Sequence, residues 1–296
     1  MAHQLPILSH RWSRVISALM LAICCCCQIS ALYAEETIRI TGIPDENPTE
    51  LARKYQPMVT YLESKLGVKV TYIPVTDYGA AVSAMVAGKI DFAWLGGFTH
   101  VQARVLSGAK PVVMRDIDRK FRSVFIAGTD SGIQKLEDFK GKSFAFGSKS
   151  STSGHLMPRH FLISQLKMNP ETDFSTSPVY SGAHDATVKL VESGKVQGGV
   201  LNSEVWERLL RTGKVDQTKV HLVWTTPDYL DYVWTARKDL DAGIVLKFKE
   251  AFLALSLERA SDKEVLSLQG AAKFVEASAA DFDSIEEIAR KTGLLK

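Results

Sequence analysis

Three consecutive hydroxyl side chains, Ser151, Thr152 and Ser153, followed by Gly154, stand where the apolar run Phe144-Ala145-Phe146 gives way to a helical pattern. At such a junction the unpaired N–H groups of a first helical turn, short O–H donors and the positive end of the helix dipole can converge on one oxyanion. Gly147 and Gly154 would let the backbone turn tightly and approach a ligand. The competing reading is a plain Ser/Thr helix cap in a polar loop. A tetrahedral oxyanion presents several acceptor oxygens and needs a surplus of donors, and hydrogen bonds to a charged group contribute roughly 1.5–3 kcal/mol each. A handful in a closed cleft suffices for micromolar affinity, about 8 kcal/mol net, without any arginine.

Other residues could share that task. His184, behind Ser181-Gly182 at the start of a predicted helix, either donates to the anion or is a satisfied interior histidine; unperturbed, it titrates at about pH 6.5. Tyr78, after Thr76-Asp77, either offers a phenol donor or packs a helix start. Gly97, Phe98 and Thr99 open another helix after Gly96, so their N–H groups are candidate donors, while Trp94 reads as core. The carboxylates Asp77, Asp185, Glu204 and Asp231 bear on the choice of ligand. Phosphate, phosphite and phosphonate monoanions keep a proton that needs an acceptor, whereas sulfate and selenate are fully deprotonated and are repelled by a nearby carboxylate. Each of the four also reads as a helix cap or a surface charge. Ser151 or Ser153 with His184 and Asp185 could imitate nucleophile, base and orienting acid. No G-x-S-x-G elbow accompanies them, and His100, His155, His160, His184 and His221 show no H-E-x-x-H spacing. No catalytic residue, metal or cofactor is assigned, and an enzyme or a sensory receptor on the same fold is the competing class.

The elements that must position these groups alternate. Ile38–Gly42 is a predicted strand, Asn47-Pro48-Thr49-Glu50 starts a helix, and Pro57 predicts a kink or two pieces before Gly67. Strands at 68–74, 90–95 and 111–114 alternate with helices at 78–87 and 98–106. Strands separated by helices argue for a parallel α/β layer with ligands at the carboxyl ends of the strands. A second such unit follows, with strands at 123–127, 143–146, 179–181, 198–201, 221–225 and 232–236, a helix after the hydroxyl triplet, another to Glu192, and closing helices at 248–257 and 262–269. Pro158 is a misfit unless it falls in the first turn of its helix. The chain is expected to cross between two lobes near Ser123–Gly128 and near Tyr232–Arg237, leaving a cleft.

Residues 1–34 read as a secretory signal: Arg11 and Arg14 precede a largely apolar stretch, and Ala31-Leu32-Tyr33-Ala34 supplies a cleavage region. All four cysteines, Cys24–Cys27, lie in this segment, without a convincing lipobox. The exported chain must therefore be held by a hydrophobic core rather than disulfides. Removing the segment takes two of the 36 basic side chains and leaves 34 against 33 acidic ones, so no electrostatic footprint for nucleic acid survives.

Five blocks carry a family resemblance: VTDYGAAVSAMVAGKIDFAWLGG at 75–97, FRSVFIAGTDSGI at 121–133, LEDFKGKSFAFGS at 136–148, SSTSGHLMP at 150–158 and SGAHDATVKLV at 181–191. With them the chain resembles the periplasmic solute-binding proteins of ABC importers for phosphate, phosphite and phosphonate. IPDENPTEL and FGSKSSTSGHLMPRHFL resemble the branch labelled selenate-binding. The resemblance implies a two-lobed type II fold closing on a ligand, with lobe 1 at 35–124 and 235–296 and lobe 2 at 125–234. It implies a periplasmic monomer that delivers a small oxyanion to a permease and its ATPase, with a selenate- or sulfate-type ligand as the alternative. It carries the oxyanion-binding triplet onto Ser151, Thr152 and Ser153, the cleft histidine onto His184, the cleft tyrosine onto Tyr78 and a second cleft aromatic onto Phe121 or Arg122. Glu204 and Asp231 fall near positions that hold the ammonium of aminophosphonates, in surroundings that depart from that pattern.

Overall fold

The computed structural model describes residues 37–296, so the export segment expected over residues 1–34 lies outside the described residues. From β1 (Thr37–Gly42) the chain enters α1 (Pro48–Leu66), capped by Asn47, whose side chain accepts from Glu50 N at 3.2 Å. Pro57 does not split this helix, contrary to expectation: Pro48–Leu66 is one element. Buried Leu51, Tyr55, Met58, Val59, Leu62 and Leu66 form a continuous seam along it, and that packing holds the helix through the backbone bond the proline cannot make.

Alternation continues through β2 (Lys69–Tyr72), α2 (Tyr78–Val86), β3 (Phe92–Leu95), α3 (Gly97–Ser107) and β4 (Lys110–Arg115). The second half holds β5 (Ser123–Gly128), β6 (Phe144–Phe146), α4 (Met157–Leu166), β7 (Val179–Tyr180), α5 (His184–Glu192), β8 (Gly198–Asn202), α6 (Ser203–Arg211) and β9 (Val220–Thr225). The chain then returns through β10 (Val233–Ala236), α7 (Ala242–Leu253), α8 (Ala260–Gln269), β11 (Phe274–Glu276) and α9 (Asp283–Lys291).

Two sheets result, in the orders β11-β4-β10-β3-β1-β2 and β7-β6-β8-β5-β9. They are mixed rather than parallel. The returning strand β10 runs antiparallel to both β3 and β4, and β5 runs antiparallel to β8 and β9. Strands that link the sheets need no right-handed helical crossover, and this frees them from the parallel rule that the local β-α alternation predicts. The chain passes between sheets at residues 116–122 and 226–232, slightly before the strands where the crossings were expected. The two segments are paired to each other by Phe121 and Tyr229, with N···O distances of 2.9 and 3.0 Å. Each sheet has its own aromatic core: Phe92 stacks on Phe248 at 3.7 Å beside Trp234 and Phe252 in the first, and Phe125, Phe139, Phe144 and Phe146 cluster in the second. Trp94, read as core, is buried there against Trp234.

Candidate functional site

The hydroxyl triplet does not begin an ordinary α-helix. Leu156 N donates to Ser151 O at 3.0 Å and Met157 N to Thr152 O, a wide turn of i→i+5 bonds over Thr152–Leu156 that leads into α4. Pro158 explains part of this. It falls in the first turn of α4, and having no N–H it cannot continue the pattern onto the Ser153 carbonyl. That carbonyl instead accepts from Ser123 Oγ at 2.7 Å. Since Ser123 has a single hydroxyl proton, Tyr229 Oη, 2.6 Å away, is the donor to Ser123.

Ser151 caps the wide turn by accepting from Gly154 N at 2.8 Å. Thr152 Oγ1 accepts from Phe98 N at 3.0 Å, and Asp231 Oδ1 accepts from Gly97 N at 3.0 Å. The N–H groups of Gly97 and Phe98 are thus engaged in holding Asp231 and Thr152, while the Thr99 hydroxyl bonds back to Gly96 O. Helix α3 therefore acts on the site through these two side chains. Gly96 makes this possible: a Cβ there would lie 2.9 Å from Thr152 Oγ1 and 3.0 Å from Asp231 Oδ1. Gly96→Ala should push both groups off their amides at a cost of about 1–3 kcal/mol. Titration of the variant with oxyanions would show at least a tenfold loss of affinity, and unchanged affinity would mean that neither group matters.

From the other side, His184 stands at the first position of α5. Its Nε2 lies 3.5 Å from Tyr78 Oη, and Gly154 lets the ring approach, since a Cβ there would sit 3.1 Å from His184 Cε1. Ser151, Thr152, Ser153, Tyr78, His184 and Asp231 are all buried and converge. Burial pushes His184 down to about 4, so its imidazole is neutral, and raises Tyr78 well above the usual phenol range. Burial likewise lifts Asp231 to about 7, against the opposing pull of Thr152 and the Gly97 amide. Asp231 Oδ2 is buried without a hydrogen-bond partner among the described residues. The arrangement combines several neutral donors with one carboxylate acceptor and has no cationic side chain at its centre.

The remaining candidates lie elsewhere. Glu204 pairs with buried Arg115 at 2.8 Å, and Arg115 packs against the faces of Trp94, Phe121 and Tyr232. Arg122 is half exposed and pairs with Asp228, whereas Phe121 is buried against Tyr229 and Tyr232, so of these two the phenylalanine faces inward. Asp77 caps α2 by accepting from Ala80 N at 2.8 Å, and Asp185 accepts from Asn47 Nδ2 at 3.2 Å. Sequence reasoning missed Asp45, Ser123, Tyr229 and Tyr232, all buried around the site. The alternation of Tyr229 and Asp231 in an extended segment was the available signal for one of them. Among the described residues, no group of His, Cys, Asp and Glu is placed to hold a metal, and no helix is long and apolar enough to cross a membrane.

Two α/β halves joined by two crossing segments around a buried donor cluster define a solute-binding protein of the periplasmic type. Residues 40–282 match the family described as ABC transporter, phosphonate, periplasmic substrate-binding protein, and the chain belongs to that family, whose members are transport components rather than enzymes. A probable ABC transporter phosphite binding protein, PhnD1, of Prochlorococcus marinus (strain MIT 9301) is 35% identical over 272 residues, which are 88% of this chain and 91% of that one. A structure of PhnD1 from that organism in complex with methylphosphonate superimposes with a TM-score of 0.83, covering 88% of this chain and 99% of that one. The aliphatic sulphonate binding protein SsuA of Escherichia coli, 16% identical with a TM-score of 0.59 over 88% of each chain, shares the fold alone.

Proposed function

We propose that this chain is the receptor of an ABC importer that captures a singly protonated phosphorus oxyanion of the phosphite, methylphosphonate or phosphate class. The observation that carries the reading is Asp231: its buried Oδ2, without a hydrogen-bond partner among the described residues, lies by the hydroxyl groups of Thr152 and Ser153. A protonated oxyanion satisfies both halves of such a site. Its bare oxygens accept from Ser151, Thr152, Ser153, Tyr78 and His184, and its remaining hydroxyl donates to Asp231. Sulfate and selenate have no proton to offer and would meet Asp231 as a second negative charge. The 35% identity to a phosphite-binding relative and the methylphosphonate in its structure support the same class.

In this reading the export segment is cleaved near Ala34, and the half built on the first sheet (β1–β4 and β10 onward) and the half built on the second (β5–β9) close on the ligand by hinge motion at the crossing segments. The closed monomer then docks on a permease with its ATPase. Glu204 is not available to an ammonium group, because Arg115 holds it.

Thermal unfolding of residues 35–296 against phosphite, methylphosphonate, aminoethylphosphonate, phosphate, sulfate and selenate tests the reading. A ligand at about a hundredfold above its dissociation constant adds roughly 2.7 kcal/mol. At this size that is a rise of several degrees, expected for phosphite and methylphosphonate. A rise with sulfate or selenate alone would contradict it.

A further inference from the structure

Four residues around the site form a closed ring of hydrogen bonds. His184 N donates to Asp45 O at 3.0 Å, and Asn202 N donates to His184 Nδ1 at 3.4 Å. Asn202 Nδ2 donates to Tyr232 Oη at 3.1 Å, and Tyr232 Oη donates to Asp45 Oδ2 at 3.0 Å. The members span both halves of the molecule and the junction: Asp45 lies between β1 and α1 in the first, His184 opens α5 and Asn202 ends β8 in the second, and Tyr232 ends the crossing segment that leads into β10.

Every proton in the ring has a fixed direction. Asn202 Oδ1 accepts from Val205 N at 2.7 Å as the cap of α6, so the amide nitrogen is the atom that faces Tyr232. Tyr232 Oη therefore accepts from Asn202 and has its single proton left for Asp45. A main-chain N–H can only donate, so the Asn202 amide requires a bare Nδ1 on His184. In the neutral imidazole the proton is then on Nε2, the atom beside Tyr78 Oη and the hydroxyl cluster.

We propose that Asp45, Asn202 and Tyr232 are positioning residues that hold His184 as the neutral Nε2–H tautomer, so that it donates to the bound oxyanion, and that the ring is complete only when the two halves meet. This rests on the oxyanion reading of the site. The other tautomer would turn an imidazole lone pair toward the anion and repel it. Because Asp45 comes from one half, His184 and Asn202 from the other and Tyr232 from the crossing segment between them, closing the cleft and arming this donor are the same event. The hinge equilibrium and the ligand bond are thereby coupled, without contact between Asp45 and the ligand.

The test uses residues 35–296 with 15N-labelled histidine, saturated with methylphosphonate. The His184 imidazole should show a pyrrole-type Nε2 and a pyridine-type Nδ1. Asp45→Ala should weaken phosphite and methylphosphonate by a common factor of about ten, a loss of about 1.4 kcal/mol. Asp45→Asn, which keeps an acceptor for Tyr232, should bind within threefold of the wild type. Tyr232→Phe, which keeps the ring packed on Trp94, should reproduce the alanine loss and serves if Asp45→Ala does not fold. A proton on Nδ1, an imidazolium in the complex, or Asp45→Ala and Tyr232→Phe both binding within twofold of wild type would overturn the proposal. If the protein binds sulfate in place of methylphosphonate, the phosphorus reading fails, and the same tautomer in the sulfate complex would still uphold the ring. Binding of neither overturns both.

Discussion

Asp231→Asn is expected to invert the ligand preference of the protein. The carboxylate is the charged acceptor in a site whose hydroxyl and imidazole groups can donate, and a hydrogen bond from a ligand hydroxyl to a charged acceptor is worth roughly 1.5–3 kcal/mol. Losing it should weaken phosphite and methylphosphonate by about tenfold to a hundredfold, while removal of the negative charge strengthens sulfate. The isosteric amide keeps an oxygen for Gly97 N, which the carboxylate holds at 3.0 Å, so the fold should persist. The pH dependence has a definite sign. Burial lifts Asp231 to about 7, far above the ordinary carboxylate range. A fully deprotonated ligand can be enclosed only beside a protonated Asp231, so sulfate affinity in the wild type should fall as pH rises through about 7, by up to about tenfold per unit. A phosphorus monoanion brings its own proton and should show no such slope over that range. In Asp231→Asn the sulfate slope should vanish. Titration calorimetry of both proteins across pH would read all three effects, and an unchanged preference in the variant would remove Asp231 from the site.

Thr152→Val should be nearly as damaging for a different reason. Thr152 Oγ1 accepts from Phe98 N at 3.0 Å, which leaves its own proton to be donated toward Asp231 or a ligand oxygen. Valine has the shape of threonine but neither function. The substitution orphans the Phe98 N–H at about 1–3 kcal/mol and removes a donor to the anion. Affinity should fall by at least roughly tenfold for every oxyanion, with a melting temperature lowered by only a few degrees. A uniform loss distinguishes Thr152 from Asp231, whose loss is selective. Normal binding by the valine variant would mean that the triplet is a helix cap and nothing more.

The parts of this structure that were legible in the sequence are those set by neighbours a few residues apart. Asn47 and Asp77 announce the helices they cap, and Ser151 does cap the turn it precedes, as its place after an apolar strand suggests. Pro158 was visible as a misfit, but its consequence was not: the freed Ser153 carbonyl is taken by Ser123, 30 residues away. Pro57 misled because a local breaking tendency is overridden by a buried seam along the whole helix. The mixed sheets were invisible because β10 and β5 find their neighbours through the returning chain, not through a local β-α repeat. Asp45 and Tyr232 carry no motif. Their roles exist only because the fold brings together residues 187 apart.

The most direct test is a calorimetric titration of residues 35–296 at pH 7 with methylphosphonate and with sulfate, repeated in buffers of different ionisation enthalpy to count protons. The account predicts that methylphosphonate binds at least a hundredfold more tightly than sulfate and without net proton uptake, because ligand and Asp231 share the proton that the ligand carries in. Sulfate binding as tight as methylphosphonate, with no proton taken up, would contradict it.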